Sequence, residues 1–144
     1  MENVVTAPLF ERLVDENTDV PFEKNPKRYL PLSELQEVIL KDLSNLLNTR
    51  VAIFWQNYVS EITVPYAYGV NATCTVSAEN VFEIQELESR IDKVIQQFEP
   101  RLINARTHVV GTGTDPSTLF INIDAEIIFE GHKTPLTFPV VVDM

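Results

Sequence analysis

Across Phe98-Glu99-Pro100-Arg101-Leu102 the chain changes its hydrophobic period. Upstream, Ile84, Leu87, Ile91, Val94, Ile95 and Phe98 recur at the spacing of one helix face. Downstream, Ile103, Ala105, Thr107 and Val109 alternate with Asn104, Arg106 and His108, the period of a strand with one buried face. Pro100 disfavours the α conformation for Glu99, so the helix has to stop there. A chain that is helical first and strand-forming afterwards is expected to be α+β with an antiparallel sheet. Glu99 and Arg101 bracket the proline, and folding alone gives no obvious reason for a charged pair at this junction.

The remaining elements follow from the same periodicities. Leu35, Val38, Ile39, Leu43, Leu46 and Leu47 form the apolar stripe of an earlier helix over 33–48. Ser33 and Gln36 predict a capping box at its start. Glu34, Glu37, Lys41, Asp42 and Asn45 predict a solvated outer face. Ser77 is the expected N-cap of the second helix, with Glu79 at the positive end of its dipole. Glu86 and Arg90 stand at i, i+4 in the favourable order. Near the C-terminus, Leu119, Ile121, Ile123, Ala125, Ile127 and Phe129 alternate with polar residues. Glu130-Gly131-His132-Lys133 predicts a hairpin, and Leu136, Phe138, Val140 and Val142 give the returning strand its apolar face. Pro135 and Pro139 cannot donate to a ladder, so that strand is expected at an edge or bulged. The expected architecture is an N-terminal segment and two main helices, followed by a small antiparallel β-meander. Residues 1–31 read as an extended segment with a short docking helix, and 32–144 as a single domain.

Composition removes several function classes. The 144 residues include 11 basic and 21 acidic ones, a net charge of −10. Phosphate binding needs a basic surface, so nucleic acid and anionic membrane are not expected partners. No apolar run approaches the roughly 20 residues of a membrane span, and no signal segment opens the chain. A lone cysteine, Cys74, allows no internal disulfide and fits a reducing compartment. His108 and His132 lack metal-ligand spacing, and Gly111-x-Gly113 is followed by neither a lysine nor a helix start. No metal or cofactor is implied. A carboxylate pair for glycoside hydrolysis would draw on Glu99 with Asp124 or Glu126. However, a cation two residues away favours the ionised carboxylate, the wrong direction for a general acid.

Two stretches leave a choice between the chain's own core and a partner. Leu9, Phe10, Leu13 and Val14 fall on one side of a short helix that is marginal alone and must dock, on its own domain or on another chain. Residues 51–71 are rich in aromatics (Trp55, Tyr58, Tyr66, Tyr68) without a clear period, and core packing is their default reading.

Four pieces in chain order carry a family resemblance: Leu9-Phe10-Glu11-Arg12-Leu13, Leu46-Leu47-Asn48-Thr49-Arg50, Tyr68-Gly69-Val70 and Phe98-Glu99-Pro100-Arg101-Leu102. Together they resemble the TssE family of type VI secretion baseplate components, within the contractile-phage baseplate wedge proteins once labelled lysozyme-like. The sequence departs from the usual Tyr-Gly-Leu-Pro-Asp connection, with Tyr68-Gly69-Val70-Asn71 in its place.

The resemblance implies a structural, non-enzymatic subunit in the cytoplasm, at the baseplate on the inner membrane's cytoplasmic face, which starts assembly of the contractile sheath. It implies wedge partners (TssF, TssG, TssK), sheath partners (TssB, TssC) and contact with the tube or spike. It makes Glu99, Pro100 and Arg101 the wedge contact. The strands carrying Leu119, Ile121, Ile123, Leu136, Phe138 and Val140 become the sheath-pairing element, and Leu9, Phe10 and Leu13 an N-terminal docking element. On this reading Arg101→Ala folds normally but fails to support sheath assembly. As an isolated exposed pair, Glu99 and Arg101 would contribute under about 1 kcal/mol.

Overall fold

A computed structural model of the protein describes residues 4–13, 19, 29–51, 68–71, 80–115 and 117–143. The short strand β1 (Val4–Thr6) pairs antiparallel with β2 (Tyr29–Pro31), and the five-residue helix α1 (Leu9–Leu13) follows β1. β2 runs directly into α2 (Leu32–Asn48). The two-residue strands β3 (Arg50–Val51) and β4 (Val70–Asn71) pair in parallel. Helix α3 (Val81–Phe98) leads to β5 (Ile103–Thr112), β6 (Thr118–Phe129) and β7 (His132–Asp143). These last three form an antiparallel sheet in the order β5-β6-β7. Two main helices and an antiparallel meander make the fold α+β, as the change of period requires.

The helices cover one face of the sheet. Leu35, Ile39, Leu43 and Leu47 of α2 and Leu87, Ile91 and Ile95 of α3 join the alternate residues of β6 and β7 in one core. Ile123, at the centre of β6, is fully buried, a placement that favours folding by about 2 kcal/mol over leaving it exposed. α2 lies against β7 and α3 against β5. On the other face of the sheet Phe120, Ile128, Val110 and Val141 are exposed.

The hairpin falls on the expected residues. Phe129 faces His132, and the two-residue turn uses Glu130 at φ 51° and Gly131 at φ 78°. Positive φ at both central positions matches the right-handed twist of the flanking strands. β7 stands at the sheet edge, where its prolines are tolerated. The ladder between β5 and β6 is irregular at Ile103/Arg106 and at Val109/Gly111.

Both helix starts differ from the expectation. α2 begins at Leu32 behind an extended Pro31, and no side chain caps it. Pairing of Pro31 with Val4 keeps the chain extended up to that residue, so Ser33 already lies inside the helix. Ser77 and Glu79 lie outside the described residues, and Asn80 caps α3 instead. Its side-chain oxygen accepts from the Phe82 N–H at 3.1 Å, and its amide donates to Glu83 at 2.9 Å. Asn80→Ala is therefore expected to cost about 1 kcal/mol, while Ser33→Ala stays within about 0.5 kcal/mol of the parent. Denaturant midpoints check both; equal losses would contradict the cap assignment.

Candidate docking site

The site begins where α3 ends. The Glu99 N–H closes the last turn on the Ile95 carbonyl at 2.8 Å, and the Leu102 N–H returns to the Glu99 carbonyl at 3.2 Å. This tight reversal around Pro100 turns the Arg101 side chain back onto Glu99. Nε donates to Oε1 and Nη2 to Oε2, both at 2.5 Å. The Arg101 N–H adds a long contact to Oε1 at 3.4 Å. Nη2 also donates to Oδ2 of Asp42 on α2, at 2.6 Å. Glu99 is buried at 5% exposure, whereas the Arg101 and Asp42 side chains are 31% and 44% exposed. Arg101 thus bridges one buried and one half-solvated carboxylate. Its pKa is raised, first by the hydrogen bond to Glu99 and then, against desolvation, by Asp42. Among the described residues its Nη1 has no partner.

Three of the four segments that carry the family resemblance converge here. α2 ends at Asn48, and Thr49 closes it with a hydroxyl bond to the Asn45 carbonyl at 2.6 Å. The Thr49 carbonyl accepts the Val70 N–H at 2.8 Å, which brings Tyr68-Gly69-Val70 beside the helix end. Gly69 has φ +126°, and a Cβ there would stand 2.4 Å from the Thr49 carbonyl oxygen. The Tyr68 ring meets Phe98 edge-on, with centroids 5.6 Å apart. Burial, followed by the nearby Asp42 and Glu99 carboxylates, raises the Tyr68 phenol pKa. Pieces far apart in sequence therefore build one surface, with the bridged arginine beside an aromatic pair.

The other predicted site residues are placed differently. Leu119, Ile121 and Ile123 are core residues of β6, and Phe138 and Val140 are core residues of β7; Leu136 packs against the same core. β6 is flanked by β5 and β7, so its backbone offers no open edge. Any strand pairing with this sheet falls to β5 or β7. Leu9 and Leu13 are exposed; the side chain of Phe10, along with Val14, Cys74 and the aromatic stretch 52–67, lies outside the described residues. Asp124 and Glu126 do not join Glu99. Asp124 accepts from Thr137 at 2.6 Å, and Glu126 stands 3.6 Å from Lys133. Both Glu99 oxygens are held by the guanidinium. Among the described residues no group of acids, cysteines and histidines is arranged for a metal, and no helix is long and apolar enough to cross a membrane.

The contacts of four polar residues escaped the sequence reading. Asp42 was expected in solvent, yet it stands three residues after Ile39 and four before Leu46, both buried, and so borders the core stripe. Asn48 lies against β7: its Nδ2 donates to the Val141 carbonyl and its Oδ1 accepts the Asp143 N–H, each at 3.0 Å. Asp92 and Glu88 of α3 accept the N–H groups of Thr107 and Val109 on β5, at 2.7 and 2.8 Å.

No curated protein matches the chain. A solved structure of a candidate tail lysozyme from Geobacter sulfurreducens aligns with 80% of this chain and 97% of its own, at 17% identity and a TM-score of 0.45. The model of the family described as "Baseplate wedge protein gp25" matches residues 33–132, a stretch that holds α2 from its second residue, α3, the bridged Arg101 and the first two strands of the sheet. With that match extending over more than half of its length, the chain belongs to the gp25 baseplate wedge family.

Proposed function

We propose that this protein is a TssE-type structural subunit of a contractile injection system, joining wedge subunits to the first sheath subunits in the cytoplasmic baseplate. The family match carries the reading, since it spans both the Leu-Asn-Thr-Arg and the Glu-Pro-Arg segments. The geometry supports it through the surface those segments build. Among the described residues Arg101 keeps an unpartnered Nη1, about a third of its side chain is exposed, and Pro100 beside it is exposed. A guanidinium already oriented by two carboxylates is preorganised for a further acceptor on a partner. The wedge subunits TssF and TssG, together with TssK, belong on this side. The sheet belongs on the sheath side, where a strand of TssB or TssC extends it by main-chain pairing. Exposed Leu9 and Leu13 supply a further apolar contact.

The test separates docking from folding. Glu99→Leu with Arg101→Leu removes both partners of the buried pair, leaving no buried charge behind. This variant is expected to fold, yet to bind purified TssF–TssG at least about tenfold more weakly, a loss of about 1.4 kcal/mol. Binding at parental affinity by the folded variant would remove the Glu-Pro-Arg segment from the wedge contact.

A further inference from the structure

The two edges of the sheet are not equivalent. Along β5, the outward N–H groups of Thr107 and Val109 are already bonded to Asp92 and Glu88. The match is geometric: four helical residues rise about 6 Å and two strand residues about 6.6 Å, so carboxylates one turn apart meet successive outward N–H groups. α3 thus stands in for a neighbouring strand and closes this edge.

Along β7 the phase is fixed from two directions. The Val141 carbonyl and the Asp143 N–H point away from β6, because Asn48 bonds them. The ladder with β6 is unbroken from His132 to Asp143, so every second residue back along β7 faces outward too. These are Pro139, Thr137, Pro135 and Lys133. Asn48 occupies the far end, and the stretch from Lys133 to Pro139 carries no backbone partner on its outer side among the described residues. The outward carbonyls of Lys133, Pro135, Thr137 and Pro139 have no partner among the described residues, but of these four residues only Lys133 and Thr137 have an N–H to give.

We infer that β7, between Lys133 and Pro139, is the edge that takes a partner strand, and that its two prolines select a different chain over a second copy of this one. Two copies of this edge would set proline against proline, or proline against a residue whose carbonyl then goes unpaired. A proline-free strand satisfies all the outward carbonyls of β7. The prolines therefore discriminate against self-pairing, as edge prolines do elsewhere, without sealing the edge. Asn48 stops the incoming strand before Val141 and so sets its register. The occupant rests on the proposed function: an extended, proline-free segment of a sheath subunit.

Two measurements test this. In the free protein, amide exchange is expected to be slow at Thr107 and Val109 and fast at Thr137. Equally fast exchange at all three would overturn the closed β5 edge without reference to any partner. The second uses purified TssB–TssC. Thr137→Pro deletes the central outward N–H at a position flanked by residues where the strand already accepts proline, and Thr137→Val removes only the hydroxyl. The proline variant is expected to bind about tenfold more weakly, and the valine variant as the parent does. On binding, the parental Thr137 amide is expected to become protected. Undiminished binding by Thr137→Pro, new protection along β5, or dimerisation through β7 would overturn the edge assignment. Absence of any binding by the parental protein would instead overturn the sheath as occupant, and with it the sheath half of the proposed function.

Discussion

Arg101→Ala is expected to lower the unfolding free energy by about 2 to 4 kcal/mol, well beyond the loss of an ordinary surface contact. The reason lies with Glu99 rather than with Arg101. Glu99 is buried, and the guanidinium bonds both of its oxygens. Removing the arginine leaves a carboxylate out of water and without its cation, and the chain must either solvate it by local opening or protonate it on folding. The estimate sits below the full cost of breaking a buried pair because Arg101 is about a third exposed and water reaches the vacated space. The wedge-contact reading gave the expectation that Arg101→Ala folds normally; burial of Glu99 reverses it. Denaturant midpoints at constant m-value measure the loss. The variant Glu99→Leu with Arg101→Leu is expected to recover most of it, since no buried charge remains. A parental midpoint for Arg101→Ala would show that Glu99 is solvated, which is incompatible with the site as described.

That reversal marks where sequence reading stops. The helices, the change of period at Glu99, the hairpin and the edge position of β7 follow from patterns a few residues wide, and the structure places all of them as expected. Helix starts were less legible because more than one residue could cap them. Ser33 fitted a capping box until pairing of Pro31 with Val4 fixed where the helix began. Contacts across the chain left almost no local trace. Asp42 meets Arg101 across 59 positions, and Asn48 reaches Val141 and Asp143 across 93 and 95. From the sequence, Asp42 is one acid among 21. What selects it is its place beside the core stripe and the reversal at Pro100 that aims Arg101 at it. The motif residues were identifiable by resemblance; their chemistry, one arginine bridging two carboxylates, was not.

Gly69→Ala is the other substitution expected to have a large effect, about 2 to 4 kcal/mol, made up of backbone strain and a direct clash. Gly69 has φ +126°, a conformation L-residues avoid, and its added Cβ would lie 2.4 Å from the Thr49 carbonyl oxygen. That oxygen cannot move away cheaply, because it accepts the Val70 N–H that holds β3 against β4. Relief of the clash therefore requires separating the end of α2 from the Tyr68-Gly69-Val70 segment. Gly131 supplies the control. It also has positive φ, at +78°, but a Cβ there meets nothing within 4 Å, so Gly131→Ala is expected to cost only about 1 kcal/mol. Comparing the two by thermal or denaturant unfolding isolates the contribution of close approach from that of φ. The consequence for function is also distinct. Gly69→Ala displaces Tyr68 from Phe98, beside Arg101, and is expected to weaken wedge binding even at temperatures where the variant stays folded. Gly131→Ala adds a Cβ that meets nothing within 4 Å and is expected to leave wedge binding unchanged. Equal losses of stability in the two variants, or parental wedge binding by folded Gly69→Ala, would mean that the Thr49–Gly69 contact does not support the docking surface.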